Sequence, residues 1–125
     1  MLASQPATGA LPMKIIAIAN QKGGVGKTTM SVNLAHSLSK YHQKRVLLVH
    51  LDAQANATQW LLGCYGEKGK VVYDLLMERA SINDVIVKSA CGVDVVPSNL
   101  NLAALDIDLI GEYYREQRLE AALGG

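Results

Sequence analysis

Little in this chain points to a disulfide scaffold, a membrane or a polyanion. Its two cysteines, Cys64 and Cys91, lie far apart and lack metal-ligand spacing. They read as free buried thiols. No oxidising compartment is needed for them, so a cytoplasmic protein is expected. Twelve basic and eleven acidic residues leave a net charge of +1, which gives no support for broad adhesion to nucleic acid or to membranes. No apolar run approaches the ~18 residues that a spanning helix requires. The opening stretch from Met1 to Pro12 has neither the charged start nor the long apolar centre of a secretory leader. Internal repeats and low-complexity blocks are missing too. What is present is a globular composition, half apolar and 18% charged, in 125 residues. That suffices for one domain with a real core.

Small and polar residues dominate positions 1–12, which reads as a flexible extension, with Met13 the more natural start. Lys14 to Ala19, KIIAIA, is a short apolar run with β-branched residues and reads as a buried strand. From Lys27 to Tyr41 the pattern turns helical, with Met30, Leu34, Leu38 and Tyr41 on one face. His42, Lys44 and Arg45 follow, where a helix's negative end favours cations. Arg45 to Leu51, RVLLVHL, is a second buried strand, so the order β–loop–α–β implies parallel strands. Asp52 to Thr58 and Gly63 to Gly69 read as loops. Val72, Leu75 and Leu76 suggest a short helix, and Ser81 with Asp84 has capping-box spacing ahead of another. Val93 to Val96 is a third strand, closed by Pro97. Leu102, Leu105 and Leu109 suit a helix, as does Glu112 to Leu123. This alternation argues for an α/β fold with a parallel sheet and helices on both faces.

Between the first strand and its helix lies Asn20 to Thr29, NQKGGVGKTT. Gly23, Gly24 and Gly26 clear the backbone of side chains and permit positive φ. Several N–H groups can then converge as an anion nest, backed by the positive end of the helix. Lys27 supplies a point charge for terminal phosphates. Thr28 offers a hydroxyl to Mg²⁺, a cation that accepts few protein ligands. Gly26, Lys27 and Thr28 match the end of the phosphate-loop pattern G-x-x-x-x-G-K-[ST], but Gln21 stands where the first glycine belongs. A second lysine, Lys22, precedes the nest. Spacing alone leaves two readings level. It is a solvated surface lysine, or it leans onto a nucleotide held by a facing copy of the chain, as an arginine finger does. The second reading makes the ATP-bound form a symmetric dimer.

The stretch KGGVGKTT resembles the deviant Walker A motif of the ParA/MinD superfamily. RVLLVHLDAQANAT is similar to the strand and switch I region of ParA/Soj partition proteins, which typically read VDLDPQGNAT there. The resemblance implies a P-loop NTPase fold with ATP and Mg²⁺ as cofactors. It implies a Mg²⁺-dependent ATPase switch that forms a nucleotide-sandwich homodimer in plasmid or chromosome partition, with a ParB-like partner. By resemblance Gly23, Gly24, Val25, Gly26, Lys27, Thr28 and Thr29 surround the phosphates. Lys22 becomes the signature lysine that reaches across the dimer, Lys27 the phosphate-loop lysine and Thr28 a magnesium ligand. Asp52 matches the second aspartate of the family motif, which supports metal-bound water and hydrolysis. A carboxylate at the carboxyl end of a strand, beside the phosphate loop, is well placed for that.

Three positions depart from the family pattern: His50 for the first aspartate, Ala53 for the proline and Ala55 for the glycine. A histidine on an apolar strand reads as a satisfied core or rim residue. It also removes a carboxylate near the metal, so slower hydrolysis is expected. Weaker likeness runs through VYDLLMERASINDVIVKS and GVDVVPSNLNLAALDIDL, and REQRLEAALGG resembles the helix before the family's Walker B strand. Residues 13–125 therefore read as a partial ParA-like domain. Asp106 and Asp108 fall in a helical stretch, so ALDIDL is rejected as Walker B. A truncated or split member is expected, with an uncovered sheet edge, self-association, and ATPase activity weak or lost. Base recognition and DNA binding are not expected of it. The alternative is a non-catalytic interaction module that pairs with full-length relatives. A third reading, a metabolic or iron–sulfur relative, is disfavoured by LDAQANAT.

Overall fold

The computed structural model describes residues 2–5, 13–20, 22, 24, 26–52, 54, 56–62, 70–111 and 117–124. The sheet is organised around β3 (Arg45–Val49), whose five residues are nearly all apolar. Successive side chains of a strand point to opposite faces, and β3 sorts its residues accordingly. Val46 and Leu48 join Ala35, Ala57, Val93 and Val95 in one core. Val49, with Leu47 packed alongside, joins Val72, Leu75, Leu76, Val85 and Val96 in the other. Both faces of β3 are thus covered, as a strand with no polar face requires.

The covering elements follow in chain order. One face carries α1 (Lys27–Lys40) and α2 (Asn56–Leu62). The other carries α3 (Val72–Leu76), α4 (Ile82–Val85), a 3₁₀ turn over Leu100–Ala104, α5 (Leu105–Asp108) and α6 (Arg118–Gly124). Helices on both faces agree with the α/β class read from the sequence. The Ser81–Asp84 capping box is present, with the Asp84 carboxylate accepting from the Ser81 backbone N–H at 2.9 Å and from its hydroxyl at 2.8 Å. Those two hydrogen bonds hold the Asp84 carboxyl below its usual range.

The sheet itself is mixed rather than wholly parallel. Besides β3 it contains β1 (Leu2–Gln5), β2 (Lys14–Ile16), β4 (Val87–Lys88) and β5 (Asp94–Val96), in the order β2-β1-β3-β5-β4. The β3–β5 pair is parallel, joining Leu48 to Val95. β1 is antiparallel to both β2 and β3, so β2, β3 and β5 share one direction and β1 runs against them. β4 is antiparallel to β5. Leu2–Gln5 thus forms a strand inside a stretch expected to be an extension without structure. Residues 6–12 lie outside those described.

Three further expectations change in detail. The first predicted strand shortens to Lys14–Ile16 and is exposed rather than buried, with Ile15 54% and Ile16 38% accessible. It forms an outer edge of the sheet with one paired side, so its apolar side chains are not enclosed. On α1 the buried row turns about Ala35, flanked by Val32, Leu34 and Leu38, while Met30 and Tyr41 face outward. A small residue at the centre lets the helix approach the sheet closely. Finally, Asn56–Leu62 is helical, although the sequence predicts a loop through Thr58. Glu112–Glu116 lies outside the described residues, and the last helix begins at Arg118.

Candidate functional site

The loop after β2 is built from within. The Asn20 side-chain oxygen accepts the Lys22 backbone N–H at 2.9 Å, which turns the chain. Gly24 and Gly26 then take φ of +72° and +89°. A Cβ at either position would meet nothing within 4 Å, so glycine is favoured by the left-handed backbone rather than by crowding. Gly26 caps α1, and its carbonyl accepts the Met30 N–H at 2.9 Å. No side chain caps this helix start, leaving its first N–H groups directed at the loop. α1 has no acidic residue in its first turn, so nothing there opposes an anion.

Lys27 opens α1 and folds its side chain back over the loop. Its ammonium donates to the Asn20 carbonyl at 2.7 Å and to the Lys22 carbonyl at 3.1 Å. The cation is thereby held against the turn. A cavity of about 570 Å³ opens beside it, lined among others by Asn20, Lys27, Thr28, Ser31, His50 and Asp52. Thr28 and Asp52, the two predicted magnesium ligands, therefore share one space with Lys27. Asp52 accepts the Gln54 backbone N–H at 3.0 Å, which orients its carboxylate beyond the end of β3.

His50 is the unexpected wall of this cavity. It is 7% exposed, and burial pushes its pKa down to about 4, against a smaller opposing pull from Asp52. Its Nδ1 accepts the Thr58 backbone N–H at 3.2 Å and lies 2.8 Å from the Thr58 hydroxyl. The same hydroxyl oxygen accepts the Ser98 backbone N–H at 3.0 Å. Thr58 and Ser98 are both fully buried. The imidazole thus satisfies one of the otherwise orphaned N–H groups in the first turn of α2.

This geometry has close counterparts. A family model described as the AAA domain matches residues 13–124. The chain belongs to this family, as a ParA/MinD-type P-loop chain. The sporulation initiation inhibitor protein Soj of Bacillus subtilis is 48% identical over 111 residues, spanning 88% of this chain and 44% of Soj. The chromosome partitioning protein ParA of Caulobacter vibrioides is 40% identical, spanning 90% of this chain and 42% of its own. Among solved structures, a cobyrinic acid a,c-diamide synthase from Mycobacterium smegmatis with bound ATP analog and magnesium superimposes with a TM-score of 0.80 at 34% identity. That match covers 85% of this chain and 43% of the synthase. A plasmid partition protein from Borrelia burgdorferi gives 0.71 at 33%, over 86% and 47% of the two chains. The chain spans under half the length of these relatives.

In this ParA/MinD-type chain the predicted site residues divide into three groups. Lys27, Thr28 and Asp52 line one cavity. Lys22, Gly24, Gly26 and Thr29 belong to the same loop and helix start, with Lys22 and Thr29 exposed. Gly23 and Val25 lie outside the described residues, as do Ala53 and Ala55. Of the cysteines, Cys91 is exposed rather than buried, its sulfur 3.1 Å from the Ser89 hydroxyl; Cys64 lies outside the described residues. Among the described residues no group of three or more His, Cys, Asp or Glu could hold a metal. None of the described helices is long and apolar enough to cross a membrane. ALDIDL begins at the end of the 3₁₀ turn, runs through α5 and ends one residue past it, in keeping with its rejection as a Walker B strand. The Thr58–Ser98 relay behind His50 escaped the sequence reading, because its partners are 40 residues apart and carry no motif.

Proposed function

We propose that this chain is the nucleotide-binding portion of a ParA-type, Mg²⁺-dependent ATPase switch acting in plasmid or chromosome partition. The observation that carries the reading is the Lys27 ammonium, held by the Asn20 and Lys22 carbonyls over a left-handed glycine turn and beside a cavity. A cation so placed lies where the terminal phosphates of ATP would rest, next to the bare N-terminus of α1. Lys27 binds and orients those phosphates, with Gly23 to Thr29 as the cradle. The donor set fits Mg²⁺: a hydroxyl from Thr28 and a carboxylate from Asp52 are hard oxygen ligands, few in number, which suits a cation that keeps most of its waters. When bound, the ion neutralises charge on the phosphate oxygens. The likeness to a synthase with bound ATP analog and magnesium and to partition proteins supports the ligand class and the biological role respectively.

Lys22 is exposed at the rim of the loop. We assign it to the nucleotide of a second copy, which makes the ATP-bound form a sandwich dimer, and a ParB-like protein is the partner that would act on it. The test is Mg²⁺-dependent ATP turnover together with mass in solution. Lys27→Ala is expected to abolish binding and turnover. Lys22→Ala is expected to preserve binding while lowering turnover and the nucleotide-dependent dimer. Turnover indifferent to both changes refutes the reading. One observation favours the alternative of a non-catalytic pairing module: the outer strand β2 exposes Ile15 and Ile16, with exposed Met13 just before it. Co-purification with a full-length relative, without any turnover, would establish that alternative.

A further inference from the structure

We propose that His50 is a neutral hydrogen-bond donor to a phosphate oxygen of the bound nucleotide, with its Nε2–H held at the cavity wall by Thr58. This rests on reading the cavity as a nucleotide site. The tautomer follows from the hydrogen bonds. A backbone N–H can only donate, and the Thr58 N–H points at Nδ1. We therefore assign that nitrogen as unprotonated, its one lone pair shared between the Thr58 N–H and the Thr58 hydroxyl, whose oxygen accepts the Ser98 N–H. A neutral imidazole with a bare Nδ1 carries its proton on Nε2.

The second observation is where Nε2 is left. His50 is more than nine-tenths buried and lines the same cavity as Lys27, Thr28 and Asp52. Both hydrogen bonds of the ring are made at Nδ1, and its Nε2 has no hydrogen-bond partner among the described residues. An unpaired donor on a largely buried ring is costly unless an acceptor arrives. The acceptor that matches a cavity carrying the Lys27 ammonium is anionic oxygen. A neutral donor here has a consequence that a carboxylate would not have. It attracts phosphate without needing a metal ion to screen repulsion. Nucleotide binding should therefore depend less on Mg²⁺ than it would with aspartate at position 50.

The probe is AMPPNP, titrated into the whole chain with Mg²⁺ and with EDTA, alongside ¹⁵N correlation spectra of the ¹⁵N-histidine-labelled protein. We expect His50 to show the Nε2–H pattern, and its Nε2 signals to move when AMPPNP binds. His50→Asn keeps an oxygen near the Nδ1 position for the Thr58 N–H but has no atom at the Nε2 position. It should bind AMPPNP about tenfold more weakly in EDTA. His50→Asp should lose still more in EDTA and recover with Mg²⁺. If wild type binds AMPPNP while the His50 signals stay fixed and His50→Asn binds equally well, the proposal is wrong. The phosphate-loop reading survives that result provided Lys27→Ala abolishes binding. A wild-type chain that takes up no AMPPNP overturns both. The spectra of wild type decide the matter even if the variants fail to fold.

Discussion

Replacing Thr58 with valine separates hydrogen bonding from packing at the heart of this fold. The two side chains have nearly the same shape, and position 58 is fully enclosed. The change removes an oxygen that serves two buried partners at once, His50 Nδ1 and the Ser98 N–H. Leaving the Ser98 amide unsatisfied costs about 1–3 kcal/mol, and losing the bond to Nδ1 costs about 0.5–1.5 kcal/mol. The added methyl group offsets roughly 0.8 kcal/mol. The net loss is about 2 kcal/mol. Thr58→Ser keeps both hydrogen bonds and gives up one methyl group, a loss of about 0.8 kcal/mol. Urea denaturation should therefore rank wild type above serine and serine above valine. Amide exchange at Ser98 should accelerate in the valine variant alone. Packing by itself predicts the reverse order, since valine fills the volume and serine does not. A valine variant as stable as the serine one refutes the relay.

Three other changes test separate parts of the structure. His50 has a folded pKa of about 4 against 6.5 for the unfolded chain, so below pH 6.5 the unfolded state binds the additional proton. Stability should then fall as pH drops from about 6.5 to about 4, by on the order of 3 kcal/mol. Denaturation midpoints across that window measure this, and His50→Gln should flatten the slope. Gly26→Ala meets no steric obstacle but forces a side chain onto a left-handed backbone, at about 1–2 kcal/mol; thermal melts should show a folded protein, and calorimetry a weakened affinity for AMPPNP. Ile15→Lys on the exposed edge strand should leave the melting temperature within error and reduce concentration-dependent association, read by light scattering.

The phosphate loop was legible because its chemistry is local. Glycines that permit positive φ, a lysine and a hydroxyl must lie within a few residues of one another, and a strand–turn–helix context can be read from periodicity. The buried strand β3 was legible for a like reason: an apolar run with no polar face admits few placements. The same local rules fixed the capping box at Ser81 and Asp84. Other features depended on partners that a local pattern does not contain. KIIAIA has the composition of an inner strand, but composition does not say whether a neighbour will cover it, and Lys14–Ile16 lies at the edge. Leu2–Gln5 gains its conformation from pairing with β2 and β3, not from its own residues. That His50 is both largely buried and part of the cavity lining was likewise decided in space. Thr58, in the first turn of α2, places its N–H and hydroxyl at Nδ1, and Ser98, beyond β5, donates in turn to the Thr58 oxygen. This chain of hydrogen bonds is a tertiary property, because β3, α2 and the residues after β5 must meet to form it, and Thr58 and Ser98 are 40 residues apart in sequence.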